Sequence, residues 1–260
     1  MNGNRILGFV SGKGGVGKTT ICVNMGVALA EMGKDVTIVD ADFSASNLGT
    51  YLGRYQHPVN IQDVLSGDED IDDAVFRHPT GMRVVTASNE LEKIEPDTSG
   101  LRDILDEIKE GSDYVLVDCP PGINSSVQDI IDSVDEIMVV TEPTQTAGVN
   151  AAQVVEKAMD LKKPVLGTVV NKFDEEPEKE LIGKEVEIMT NTHVLRKVPF
   201  DEKVKESLFN NKPVVHHAPI SRASIEIKRL AANIEGKKYN PPRFAKFRRK
   251  LNSFKKKIKK

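Results

Sequence analysis

The stretch "SGKGGVGKTT", residues 11–20, limits the fold more tightly than any other part of the chain. Gly12, Gly17, Lys18 and Thr19 fit the spacing G-x-x-x-x-G-K-[ST], in which glycines let successive backbone N–H groups converge on phosphate oxygens. The lysine of such a loop reaches the β/γ-phosphates and the hydroxyl reaches Mg²⁺. Residues 6–10 form a short apolar run suited to a buried strand, and residues 18–32 read as a helix that stops at Gly33. The loop therefore sits at a helix N-terminus, where the backbone dipole favours anions. A second lysine, Lys13, stands five residues before Lys18, and a phosphate-binding loop alone does not require it.

Strand and helix patterns alternate through the rest of the chain. "RILGFV", "DVTIVD", "MRVVTA", "DYVLVD", "EIMVVT", "VLGTVV" and "HVLRKV" are short apolar runs, and helical patterns at 18–32, 99–110, 146–161 and 177–190 separate most of them. That order predicts an α/β fold, a doubly wound and mostly parallel sheet covered by helices on both faces. Ligands of such sheets collect at the carboxyl ends of the strands, where Asp40, Asp118 and Asn171 fall in this sequence. "VVHHAP" reads as a strand, which would point His216 and His217 to opposite sides and so argues against a shared metal.

The formal charge of −3 hides an asymmetry. Residues 237–260 hold twelve Lys or Arg and no acid, which leaves 24 basic against 39 acidic residues in the preceding part, a formal −15. An acidic body is poorly suited to nonspecific duplex binding, whereas a basic tail is drawn to phosphate. No apolar stretch of about 18 residues and no charged-plus-apolar leader is visible, so a cytosolic protein is expected. Cys22 and Cys119 are far apart and lack a C-x-x-C partner, which predicts reduced, buried thiols. Cys119 is the one with a route to reactivity, because it adjoins a carboxylate of metal-binding type.

Asp118 in "YVLVDCPPG" has the form of a Walker B element, an apolar strand ending in a carboxylate that can hold Mg²⁺ through water. Gly122 follows where a loop must come close to a γ-phosphate. In "VDADFSASNL" the pair Asp40 and Asp42 could both turn toward metal and phosphate, Asp40 supporting Mg²⁺ and Asp42 orienting water. The competing reading is one turn cap and one solvated charge.

"SGKGGVGKTT", "VDADFSASNL" and "DCPPG", in this order and spacing, resemble the deviant Walker A ATPases of the MinD/ParA family over roughly residues 4–235. The resemblance implies a P-loop nucleotide site built by Gly12, Lys13, Gly14, Gly15, Val16, Gly17, Lys18, Thr19 and Thr20, with ATP and Mg²⁺ as cofactors. Lys13 then resembles the signature lysine that reaches across a nucleotide-sandwich homodimer to the partner's phosphates, which answers why a second cation is present. The resemblance further implies catalytic roles for Lys13, Lys18 and Asp42, and metal-side roles for Thr19, Asp40 and Asp118. Asn47 would belong to the first switch and Asp118 to Gly122 to the second. Asn171, Lys172 and Pro199, with Phe200 beside it, would line the base. One departure stands out: "NKFD", 171–174, also matches the N-K-x-D element that grips guanine in many GTPases. Lys13 and the Asp40/Asp42 pair belong to the ATPase pattern.

The tail separates relatives. In "RFAKFRRKLNSFKKKI", Phe244, Phe247, Leu251, Phe254 and Ile258 recur at intervals of 3, 4, 3 and 4, placing five large apolar groups on one helical face among basic residues. This is the pattern of a helix lying on an anionic membrane surface. About 16 residues span roughly 24 Å, too short to cross a bilayer. The expected organisation is an ATPase domain at 1–235, a linker "GKKYNPP" at 236–242 and a membrane-targeting helix at 243–260. The implied protein is a MinD-like ATPase, cytoplasmic and peripherally bound at the inner face of the membrane. It would dimerise on ATP and work with a protein activator or cargo. A ParA-type partition protein acting on DNA and a phosphate-activating synthetase on the same fold are the competing readings. Sequence-specific nucleic acid is not expected as a partner.

Overall fold

A computed structural model describes residues 4–54, 57–90, 96–174 and 183–242. The chain opens with β1 (Arg5–Ser11), α1 (Lys18–Ala30) and β2 (Val36–Asp40), and then passes through three short helices, α2 (Leu48–Tyr51), α3 (Ile61–Leu65) and α4 (Ile71–Ala74). A hairpin of β3 (Val75–Arg77) and β4 (Arg83–Val85) leads to α5 (Leu101–Glu110), β5 (Tyr114–Pro121) and α6 (Ser125–Ser133). The second half alternates β6 (Glu136–Thr141), α7 (Gln145–Asp160), β7 (Val165–Phe173), α8 (Gly183–Thr190) and β8 (Val194–Pro199). It ends in α9 (Glu202–Phe209), α10 (Val214–His217) and α11 (Arg222–Ile234).

The strands form one sheet in the order β3-β4-β2-β5-β1-β6-β7-β8, parallel throughout except for the antiparallel β3–β4 edge. Side-chain alternation along each strand creates two cores. Leu7 and Phe9 of β1, Val36 and Ile38 of β2, and Met138 and Val140 of β6 join α1, α10 and α11 on one face. Ile6, Val10, Val39, Ile137 and Val139 join α3 to α7 on the other. The sheet is thus doubly wound. Its topological switch lies at β1, from which the chain leaves first to β2 beyond β5 and later crosses to β6 on the opposite side. The crevice at that point opens at the carboxyl ends of β1, β2 and β5.

α1 carries the phosphate-loop motif into the middle of the molecule. Ile21 through Leu29 are buried without a break, the pattern of a helix enclosed on all sides. Its one polar intruder in that stretch, Asn24, is satisfied: Nδ2 donates to the Tyr51 hydroxyl at 2.7 Å and to the Thr20 carbonyl at 2.8 Å, and Oδ1 accepts from Val215 N–H at 2.9 Å. One side chain thereby joins α1, α2 and α10.

Two expectations change. Residues 75–77 add an eighth strand that their single-turn length hides in the sequence. "VVHH" is the short helix α10 rather than a strand, because Pro213 starts a turn in which His216 and His217 donate their backbone N–H groups to the Pro213 carbonyl. The helical expectation at 177–190 is met by α8 over 183–190, and 177–182 lie outside the described residues. No helix among the described residues is long and apolar enough to cross a membrane.

Replacing Asn24 by Ala should strip the Tyr51 hydroxyl and the Val215 N–H of a buried partner. A loss of about 2 kcal/mol is expected, equivalent to a Tm fall of roughly 4–8 °C by calorimetry.

Candidate functional site

The polar residues singled out in the sequence converge on the crevice beside β1. Glycine is required at two points of the loop. Gly17 has φ 89°, and a Cβ there would lie 2.3 Å from Asn171 Nδ2. That amide donates to the Val16 carbonyl at 2.8 Å, so the end of β7 holds the loop in place. A Cβ on Gly12 would lie 2.3 Å from the Asn150 carbonyl of α7. Lys172 closes the other flank, its Nζ bridging the Gly15 carbonyl and Glu142 Oε1 at 2.6 Å each.

Inside the crevice one carboxylate meets both ends of the motif. Asp118 Oδ1 accepts from Lys18 Nζ at 2.5 Å, and its Oδ2 accepts from Thr19 Oγ1 at 2.6 Å. Burial opposes the Lys18 charge, yet contact with Asp118 holds its ammonium above the usual lysine range. Asp40 is the register partner of Asp118 across β2 and β5, and it is fully buried. It accepts from Ser46 Oγ at 2.7 Å, Asp42 N–H at 3.1 Å and Leu48 N–H at 3.3 Å. Burial first, and the neighbouring Asp118 charge second, push Asp40 up to about 7. Asp42 is also raised, chiefly by burial, while Lys18 and the Ser44 hydroxyl oppose the shift. Ser44 Oγ donates to Asp42 at 3.1 Å and Ala45 N–H donates at 3.2 Å.

Asp118, Asp40 and the Thr19 hydroxyl thus lie about the buried Lys18 ammonium, although among the described residues no three acidic, His or Cys side chains are grouped closely enough to hold a metal ion by themselves. Oxygen donors of this kind suit Mg²⁺. A divalent cation held at Asp118 would offset the repulsion that, after burial, raises Asp40. The residues present fit a magnesium–nucleotide.

The tip of the loop is arranged differently. Lys13, Gly14 and Gly15 are exposed, and among the described residues the Lys13 ammonium has no partner. Gly122, with φ 101°, donates its N–H to the Ser11 carbonyl at 2.8 Å, which links the loop after β5 to the root of the phosphate loop. Asn47 is not drawn into the crevice: it is exposed, and its Nδ2 donates to the Ala45 carbonyl of its own turn at 2.7 Å. Pro199 ends β8 at the same edge of the sheet, followed by Phe200 at 54% exposure. Asp174, the last residue of "NKFD", is exposed just past β7. Cys119 is fully buried and its thiol is pushed up to about 12 by that burial, so a reactive thiolate there is overturned. Phe244, Phe247, Leu251, Phe254 and Ile258 lie outside the described residues.

Sequence reasoning missed Ser46, Glu142, Asn150 and Ser11. Ser46 was within reach, because it lies in the quoted "VDADFSASNL". Glu142 and Asn150 act on the loop only through the fold and carry no local signal. Ser11 is 1% exposed, and its Oγ has no partner among the described residues.

Fold and crevice together define a P-loop nucleotide-binding protein. A family profile described as "AAA domain" matches residues 4–169. An uncharacterized ATP-binding protein of Methanocaldococcus jannaschii is 34% identical over 249 residues, covering 95% of this chain and 92% of its own. The cell division ATPase MinD of Pyrococcus furiosus superposes with a TM-score of 0.85 at 28% identity, over 90% of this chain and 99% of that structure. The septum site-determining protein MinD of Pyrococcus horikoshii, solved with Mg-ADP, gives 0.84 at 27% identity, over 89% and 96%. The chain belongs to the MinD/ParA family of ATPases.

In the nucleotide-free protein, Asp40 is protonated in the fold but ionised in the unfolded chain between about pH 4 and 7. The fold then binds the extra proton, so the contribution of this group to stability falls as pH rises through that window. With EDTA present, Asp40→Asn should be stabilised relative to the parent at pH 8, and the difference should shrink toward pH 5. Thermal melts at the two pH values measure it.

Proposed function

We propose that this protein is a MinD-like ATPase whose ATP-dependent homodimerisation drives reversible attachment to an anionic membrane surface for spatial positioning of a partner. The observation that carries the reading is the contrast between the two lysines of one loop. Lys18 is buried on Asp118, whereas Lys13 stands exposed with no partner among the described residues. A cation left free at the rim of a phosphate site is suited to phosphates presented by a second copy.

In this reading ATP and Mg²⁺ are the cofactors, and the residues take the following roles. The N–H groups of residues 12–20 cradle the phosphates, and Lys18 moves from Asp118 onto them. Thr19, Asp118 and Asp40 hold the magnesium shell, Asp42 orients the attacking water, and Asn171, Lys172 and Pro199 support the base. Bound magnesium would neutralise the oxygen cluster and stabilise the charge that builds on the phosphates. Asn47 and Gly122 would report the γ-phosphate as parts of the two switches. Residues 1–235 form the ATPase domain and 243–260 the membrane helix. The cellular location is cytoplasmic, at the inner membrane face, with an activator or cargo protein as the further partner.

Binding energy at the membrane supports the coupling to ATP. One basic residue near an anionic leaflet contributes about 1 kcal/mol, and partial insertion of the five apolar groups adds a few more, offset by ordering of the helix. A single helix binds weakly. Two helices on one dimer gain roughly 10²-fold in avidity with no new contact.

Lys18→Ala should abolish tight ATP binding, while Lys13→Ala should keep some binding and lose ATP-dependent dimerisation in light scattering. Normal dimerisation of Lys13→Ala would overturn the role in trans.

Asp42→Ala should retain the ATP dimer with turnover reduced on the order of 10²-fold. Liposome co-sedimentation with ATP, for the full chain and for a chain ending at Pro242, tests the attachment. Binding must need both ATP and residues 243–260. Truncation that abolished DNA binding and left lipid binding unchanged would favour the partition reading instead.

A further inference from the structure

The root of the tail is built into the body. Glu235 follows the last turn of α11, and its side chain is 2% exposed at the amino-terminal edge of the sheet. Its Oε1 accepts from the Tyr114 hydroxyl of β5 at 2.5 Å, and its Oε2 faces Lys34 Nζ at 3.1 Å and Lys237 Nζ at 3.4 Å. Gly236 then turns with φ 65°. Its N–H donates to Asn233, and Lys237 N–H donates to the Ala232 carbonyl at 2.7 Å, a glycine-terminated helix end that reverses the chain. The reversal is visible one step on: half-buried Tyr239 lies under Lys228, whose Nζ is 6.0 Å from the ring centre. Lys228 is itself fixed by Glu31 of the α1 terminus at 2.6 Å. Residues 236–239 therefore turn back beside α11, with Tyr239 against Lys228.

That path selects a face. Residues 222–236 hold three Lys or Arg against two Glu, and 237–242 add two lysines and no acid, whereas residues 1–236 as a whole are formally −15. Glu226 is shared between Arg229 at 2.7 Å and Arg196 at 3.8 Å, so two guanidinium groups face one carboxylate. Arg222, Glu226, Arg229 and Asn233 recur at helical spacing on the side of α11 turned away from the core. We propose that residues 236–242 are a docked strap that delivers the tail beside α11, so that the basic outer face of this helix is the surface the body turns to an anionic bilayer. This rests on the membrane reading given above. The charge of the face matches such a bilayer, and the apolar stripe of 244–258 begins two residues beyond the end of the strap.

Both native cysteines are buried, so one introduced cysteine can be labelled alone. Asn233→Cys places a fluorophore on the α11 face, and Glu69→Cys places one on an exposed loop before α4, on the opposite face of the sheet. Each full-chain protein, with ATP and Mg²⁺, is mixed with phosphatidylcholine–phosphatidylglycerol vesicles containing doxyl-labelled lipid. Quenching at position 233 should exceed that at position 69 by at least twofold. Adding Tyr239→Ala and Lys237→Ala, which leave the hub of Glu235, Tyr114 and Lys34 intact, should bring the ratio toward one while sedimentation with vesicles persists. Equal quenching at the two positions in the parent, with normal sedimentation, overturns the orienting strap and leaves the membrane reading standing. An unchanged ratio in the strap variant overturns the role of 236–242. Failure of the full chain to sediment with ATP removes the membrane reading and this inference together.

Discussion

The contact on which the rest of the arrangement depends is the double hold on Asp118. Its two oxygens take Lys18 and Thr19, so the carboxyl end of β5 is tied to the first turn of α1 through a space that also contains Asp40. A buried carboxylate pair without compensation is costly. Here one ammonium and one hydroxyl compensate part of it, and the residue of the conflict appears in the raised Asp40. The crevice is consequently an electrostatic vessel completed by what enters it. A phosphate that is to use Lys18 must compete with Asp118 for it, and a divalent cation that takes over Asp118 lowers the cost of that exchange. Nucleotide and metal suit the site better together than either does alone.

The surrounding scaffold fixes the shape of the loop. Asn171 and Lys172 pin the Val16 and Gly15 carbonyls from the end of β7, and Ser11 receives the Gly122 N–H from the end of β5. The ends of two strands thus grip one loop. The residues that respond to phosphate are held by atoms of the loop backbone, and backbone groups are present whatever the side chains are. This is why a motif of glycines can be rigid.

Much of this was legible in the sequence because its signals are local. The phosphate-loop spacing, the apolar runs before Asp40 and Asp118, and the alternation of strand and helix patterns each fit within about ten residues, and each appears where expected. The elements that escaped depend on tertiary context. β3 has three residues, and α10 forms around Pro213 where the Val-Val-His-His run suggests a strand. Glu142 and Asn150 reach the loop only because β6 and α7 pass behind it. Gly236 and the proline pair marked the end of the last helix correctly, but nothing in "GKKYNPP" announces that Tyr239 will turn back to meet Lys228.

The enclosure of α1 has a mechanical consequence. A helix buried on every side from Ile21 to Leu29 has no room to slide or tilt, and its Asn24 is bolted to two neighbours. Motion at its amino end must therefore be borne by the segments after β2 and β5, which are joined to the crevice by hydrogen bonds rather than by helix packing. The central helix is the fixed part of the fold, and substitutions along it will be felt first as lost stability.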